Sequence, residues 1–200
     1  MKQLAIIGKK SDSLVFVIHK HAATRLHYDF RLQIGNVMPS WAIPKGPSLD
    51  PTVKRLAMQT PDHDLTYRHF EGIIPPDNYG AGTVMIWDTG AYIPEIELEK
   101  GRRELVKDRE VAQKVMKEGM KKGELKFQLF GSKLKGSFAL IKTRGFGPKN
   151  SWLLIKHKDE YVQKDYNAND YDFSAKTKRT LTEISQNVIH NIKTTHHAFS

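Results

Sequence analysis

In the stretch Arg25-Leu26-His27-Tyr28-Asp29-Phe30-Arg31-Leu32, apolar or aromatic residues alternate with ionisable ones over eight positions. A period of two belongs to a β-strand, whose successive side chains point to opposite faces. Leu26, Tyr28, Phe30 and Leu32 are therefore expected in a core. Arg25, His27, Asp29 and Arg31 are expected on one exposed face, with roughly 6.6 to 6.8 Å between successive members. An ordinary solvated face carries Lys, Thr, Glu and Ser. This one instead sets an imidazole and a carboxylate, both metal-ligating groups, between guanidinium groups suited to phosphate. His21 lies six residues before His27, and Ala22-Ala23-Thr24 is short enough to fold back and bring it to the same ion. Two His and one Asp leave a coordination sphere partly open. Nitrogen and oxygen donors admit Mn, Fe, Co or Zn, and a phosphate substrate favours Mn.

Other charged positions bear on the same chemistry. Pro61-Asp62-His63-Asp64 places an imidazole between two carboxylates, which would fix its tautomer and favour its protonated form, as a general acid requires. Read without these neighbours, it is a surface turn with a solvated His. Lys45 and Arg55 fall in or beside expected strands. Several cations around one ion are what a phosphoryl-transfer transition state needs, although each could equally be a solvated charge. Tyr79-Gly80-Ala81-Gly82 lacks the Lys-Ser/Thr of a phosphate loop and reads as a tight turn. His69 and His157 read as structural, and His190, His196 and His197 lie in a C-terminal tail.

The elements that must position these groups are short. Residues 14–19, 25–34, 37–43, 53–59, 83–88, 124–130, 135–142 and 151–156 are rich in β-branched and aromatic residues and separated by Gly, Pro and Asn turns. Many short strands of this kind predict a mainly β fold, a barrel or sandwich, with one or two peripheral helices. One helix is expected over 108–122, with Val111, Val115 and Met116 at helical spacing. A second starts at a Thr180/Glu183 capping box and carries Leu181, Ile184, Val188 and Ile192 on one face. The expected organisation is an N-terminal arm (1–13), one domain (14–162) and a C-terminal extension with a short helix (163–200).

Composition narrows the partners. The 32 Lys and Arg against 22 Asp and Glu give a formal net charge of +10, which favours a polyanion. The absence of cysteine excludes disulfides, thiolate metal sites and a cysteine nucleophile, and suits a reducing cytoplasm. No apolar run approaches the roughly 20 residues that span a bilayer, and the N-terminus lacks a secretory core. The expectation is a cytoplasmic protein with no membrane partner.

The ordered motifs His21-Ala-Ala-Thr-Arg-Leu-His27-Tyr-Asp29-Phe-Arg31-Leu, Ser40-Trp-Ala-Ile-Pro-Lys45-Gly-Pro-Ser, Lys54-Arg55-Leu-Ala, Asp62-His63, Phe70-Glu-Gly-Ile-Ile-Pro and Tyr79-Gly-Ala-Gly-Thr-Val resemble the 3′-phosphoesterase module of bacterial DNA ligase D and its stand-alone relatives. The resemblance runs from about residue 14 to about 162. It implies a small β-barrel with an active-site groove on its outer surface. By the same resemblance His21, His27 and Asp29 are the metal ligands, and Arg31 and His63 contact phosphate. Lys45, Arg55 and Tyr67 serve the reaction, Tyr67 with a place at the phosphate. The implied activity removes a 3′-terminal ribonucleoside from a primer strand and then hydrolyses the remaining 3′-phosphate to a 3′-OH. Arg31, Lys45 and Arg55 would stabilise negative charge, and His63 would protonate the leaving oxygen.

This sequence departs from the family pattern in three ways. His19 stands where a Gln is common, Pro61 where an acidic residue is common, and the N-terminal arm of some relatives is largely missing. The expected substrates are DNA or RNA-containing primer-template 3′ ends, the expected ion is Mn²⁺ with Co²⁺ or Zn²⁺ as alternatives, and any DNA ligase or polymerase partner acts in trans. Two rivals stay open: a non-catalytic basic module that holds nucleic acid for a ligase, and a metal-independent nuclease using His21 and His63.

Overall fold

The structure, a computed structural model, describes residues 13–145 and 147–187. It is mainly β: strands β1 (Leu14–Ala22), β2 (Leu26–Leu32), β3 (Val37–Ile43), β4 (Lys54–Asp64), β5 (Gly72–Ile74), β6 (Gly82–Glu99), β7 (Arg102–Leu105), β8 (Glu124–Gly131), β9 (Lys135–Lys142) and β10 (Ser151–Lys156). The helices α1 (Arg109–Lys122) and α2 (Leu181–Ser185) and the 3-10 turns Leu65–His69 and Ala168–Tyr171 complete the described elements.

All eight expected strands form. The short β5 and β7 are additional, and β1, β4 and β6 run on to Ala22, Asp64 and Glu99. The sequence hides the length of β6 because Gly90 and Pro94 interrupt its apolar pattern; pairing with β1, β5, β7 and β8 in succession carries it through. Strands β1-β2-β3-β4-β10-β9-β8-β6 are neighbours in that order, and β1 also pairs with β6, so eight strands close a ring. At the closure the register shifts between Ile18, opposite Asp88, and His19, opposite Ile86. Such bulges re-aim side chains, and this one sits beside the candidate ligands.

The core is aromatic. Phe16, Tyr28, Phe30, Trp41, Trp87, Phe127, Phe138 and Trp152 are all fully or almost fully buried in one cluster. Leu26 departs from the expected core set: at the hairpin end, opposite Ala22, it is 43% exposed. Helix α1 is capped by Asp108, whose side chain accepts from the Val111 amide, and stopped by the left-handed Gly123 at φ 77°. Its buried residues are Ala112 and Met116; Met116 is buried as expected and Val115 partly so, whereas Val111 is exposed and Ala112 takes its place against the core. The Thr180/Glu183 capping box forms and Ile184 is buried; Val188 and Ile192 lie outside the described residues. Tyr166, Ala168 and Ile184 join the core cluster, so residues 163–187 pack on the ring. Among the described residues no helix is long and apolar enough to cross a membrane.

Candidate metal and phosphate site

Strands β1 and β2 form a hairpin in which His21 faces His27 and His19 faces Asp29. Directly opposed residues share a sheet face. His19, His21, His27, Asp29 and Arg31 therefore stand together, on the side turned away from Phe16, Ile18, Tyr28 and Phe30. Strand register, more than the loop, brings His21 to the carboxylate. The His21 and His27 rings are 4.8 Å apart, His21 Nδ1 lies 3.6 Å from Asp29 Oδ2, and His27 Nε2 lies 3.5 Å from Asp29 Oδ1. The second nitrogen of each ring meets a backbone carbonyl at 2.9 Å, His21 Nε2 at Gly80 and His27 Nδ1 at Arg25.

A ring nitrogen held on a carbonyl carries the proton and leaves a lone pair on the other. Both lone pairs then face Asp29 at separations longer than a hydrogen bond. One donor atom from each of the three residues lies within 4.8 Å of the others. The oriented tautomers, the anionic oxygen and the carbonyl partners fit a divalent cation. Burial alone would raise the Asp29 carboxyl, but the facing His21 and His27 rings, when they take up a second proton, and the Arg31 charge hold it well below the usual range. Asp29 in turn raises the pKa of His27, so a cation entering here competes with a proton.

This face is shared, as the alternation predicts, but it is not open. Asp29 is 6% exposed, Arg31 3%, His21 6% and His19 0%. The cover comes from the end of β4, where the pairing with β3 shifts and His63 is brought across, and from the 3-10 turn that Asp64 caps. Tyr67, on that turn, sets its ring 5.5 Å from His19 and 5.0 Å from His63, while the Arg31 guanidinium lies 5.1 Å from it. Arg31 links the groups beneath. Its Nε donates to His19 Nδ1 at 3.2 Å, Nη1 to Ser40 Oγ at 2.7 Å, and Nη2 to Asp29 Oδ2 at 3.0 Å. His63 Nδ1 is 2.9 Å from Arg31 Nη1 and 3.0 Å from the Pro61 carbonyl. It accepts from the first when bare and donates to the second when protonated.

The expected role of the acidic neighbours of His63 is not what the structure gives. Asp64 accepts from the Thr66 amide and hydroxyl, and Asp62 is exposed and makes no hydrogen bond to the ring. Burial, with the Arg31 charge second, lowers the His63 pKa and so favours the neutral ring in the ligand-free protein. His157 is structural as expected, its Nδ1 2.8 Å from Ser137 Oγ.

Lys45 is exposed after β3, and Arg55 pairs opposite Leu154 beside Ala57, on the other sheet face from Asp29. Neither hydrogen-bonds nor ion-pairs with His21, His27, Asp29 or Arg31 among the described residues. Three contributors carry no signal in the sequence, Ser40 and the carbonyls of Gly80 and Arg25, while His19, noted as a departure from the family pattern, had no expected part in the site. Ser40 and Gly80 lay inside quoted motifs, but their partners are 9 and 59 residues away along the chain. Only the fold discloses those contacts.

Residues 19–142 match the family model of the DNA ligase D 3′-phosphoesterase domain. The chain is 47% identical over 152 residues to the multifunctional non-homologous end joining protein LigD of Pseudomonas aeruginosa, covering 76% of this chain and 16% of that protein. It is 39% identical over 153 residues to the multifunctional non-homologous end joining DNA repair protein LigD of Mycobacterium tuberculosis, covering 76% and 17%. Against LigD of Mycolicibacterium smegmatis it is 38% identical over 154 residues, covering 77% and 18%. The chain thus spans about a sixth of the length of the curated relatives it matches. The hairpin that carries His19, His21, His27, Asp29 and Arg31 lies within the matched residues, and the chain belongs to the DNA ligase D 3′-phosphoesterase domain family.

Proposed function

We propose that this protein is a metal-dependent 3′-end-healing phosphoesterase of DNA repair, which removes 3′-terminal ribonucleosides and 3′-phosphates and leaves a 3′-OH. The observation that carries this reading is the pair of oriented lone pairs, His21 Nδ1 and His27 Nε2, both turned on Asp29 and each backed by a carbonyl. Those three residues would hold Mn²⁺, with Co²⁺ or Zn²⁺ as alternatives. Such an ion supplies Lewis-acid activation of a phosphate and of water.

The chain's own groups do the remaining work. Arg31 reaches from Asp29 to His63, so a phosphate held at the His63 and Tyr67 side lies next to the ligand set. Arg31 offers fixed positive charge, and Tyr67 a hydroxyl that makes no hydrogen bond within the described residues. As water attacks phosphorus, the bond that breaks is P–O5′ of a terminal ribonucleoside or P–O3′ of a terminal phosphate, and the leaving oxygen takes up a proton. The negative charge of a bound phosphate reverses the Arg31 effect on His63 and lets that ring hold the proton. The resemblance makes Lys45 and Arg55 further charge-stabilising groups, and neither is hydrogen-bonded to Asp29 or Arg31 among the described residues. The partner enzyme is a DNA ligase or polymerase.

The test is a duplex with a recessed 3′-ribonucleotide or a 3′-phosphate, incubated with chelator and after Mn²⁺ add-back, its products resolved by length and end group. Cleavage to a 3′-OH that needs the added ion supports the reading. Salt-dependent binding without turnover would mean a nucleic-acid-holding module, and turnover in chelator a metal-independent nuclease.

A further inference from the structure

Residues 160–178 fold back over the turn between β8 and β9, and the two enclose a cleft of about 540 Å³. Its wall carries Lys133, Lys135 and Lys178 together with Tyr161, Tyr166 and Phe173. Tyr161 and Phe173 are each 38% exposed, a large fraction for flat aromatic groups. Lys133 Nζ lies 4.1 Å and Lys178 Nζ 5.8 Å from the centre of the Phe173 ring. None of the three lysines is ion-paired among the described residues, Lys133 Nζ is held by the Trp87 and Phe173 carbonyls while Lys135 and Lys178 are the outward cations, and Glu160 is the one carboxylate on the wall. Tyr166 is 5% exposed, and its buried hydroxyl has no hydrogen-bond partner.

The cleft is preorganised from both sides. The buried Asp88 carboxylate accepts from the amides of Ser132, Lys133 and Leu134, fixing the turn that presents Lys133. The opposite wall is tied to the ring by Lys20 Nζ on Asp172 at 3.0 Å and Trp87 Nε1 on the Tyr171 carbonyl at 2.9 Å. Lys20 sits between His19 and His21, so this wall is anchored to the strand that carries the candidate metal site. The family match ends at residue 142, which leaves residues 160–178 outside it.

We propose that this cleft is a second nucleic-acid subsite that takes unpaired single strand, with bases stacked on Tyr161 and Phe173 and phosphates on Lys135 and Lys178. Aromatic faces interleaved with lysines bind single strands with little regard to sequence, because every base has a face to stack. A duplex hides those faces. The net charge of +10 supplies the general attraction, and the cleft supplies the selection for unpaired bases.

Fluorescence anisotropy of the full chain in chelator tests this without any turnover. The probes are a labelled oligothymidylate of about 12 nucleotides and a blunt hairpin duplex of similar length. Tyr161→Ala and Phe173→Ala are each expected to weaken oligothymidylate binding about tenfold, and to leave hairpin affinity within about twofold. Lys135→Gln should weaken it and lower the log–log salt slope by about 0.7. Thermal melts check folding; if an aromatic variant melts early, Lys135→Gln and the hydroxyl-deleting Tyr166→Phe decide. Unchanged oligothymidylate affinity across these variants, or an equal loss for the hairpin, would overturn the proposal. Mn²⁺-dependent hydrolysis of a short 3′-phosphorylated dinucleotide, measured separately, tells failure of the cleft from failure of the catalytic reading.

Discussion

Asp29 is the residue on which both the charge of the site and the candidate donor set converge. It is 6% exposed, faces two imidazoles and pairs with the buried Arg31. Removing one partner of such a pair strands the other charge, at a cost of about 3–5 kcal/mol. Asp29→Ala is therefore expected to lower the melting temperature by about 10 °C or more and to abolish Mn²⁺ uptake in titration calorimetry. His63 gives a second residue-scale prediction. Its lowered pKa means that its ring resonances in the ligand-free protein should titrate with a midpoint below 6.5 and move upward when inorganic phosphate binds. A midpoint above 6.5 without phosphate would return the proton to the Asp62 and Asp64 neighbours.

Elements matter here through the segments that lock onto them. The turn over residues 75–81 places the Gly80 carbonyl on His21 while holding φ at 77°, a conformation that a side chain resists. Gly80→Ala should cost about 1–2 kcal/mol. Because it moves a carbonyl that orients a ligand, it should also weaken metal affinity about 10- to 100-fold, read by competition with a chelating dye. Glu71 does a similar service for the C-terminal segment. Its side chain, 2% exposed, accepts from the Ile86 amide, Ser174, Thr177 and Arg179, pinning residues 174–179 beside β5 and β6. Glu71→Ala should cost about 3–5 kcal/mol and speed amide exchange in residues 174–179 ahead of the ring strands.

For the whole molecule, histidines whose pKa burial lowers make stability fall in acid. Burial pushes His157 down to about 4 from 6.5, and the charges of Arg103, Lys126 and Lys156 act in the same direction. Between those values the unfolded chain holds a proton that the folded chain refuses. The His157 contribution is thus fully present above pH 6.5 and is lost as pH falls through the window toward 4. The ring is only half buried, so solvent screening reduces this to about 1 kcal/mol. Melting curves of wild type and His157→Asn from pH 7 to 4 should converge by roughly that amount. His19, fully buried and lowered to about 3, adds an acid-sensitive group of the same sign within the site.

The chain's own order determined the strand-rich fold, the α1 caps, the α2 capping box and the alignment of His27, Asp29 and Arg31 on one face. Each rests on local rules: a period of two, a cap three residues from its amide, a glycine where the backbone turns left-handed. His21 was legible as a candidate third ligand, but its route was not, because β1 pairing carries it opposite His27. The closing of the ring, the cover that the end of β4 and Tyr67 lay over Arg31, and the neutral His63 came only with tertiary structure. So did the Gly80 carbonyl on His21 and the Glu71 anchor, whose partners lie 59 and about a hundred residues away. Electrostatic effects on a buried group add up over everything packed around it, and that set of neighbours exists only once the chain is folded.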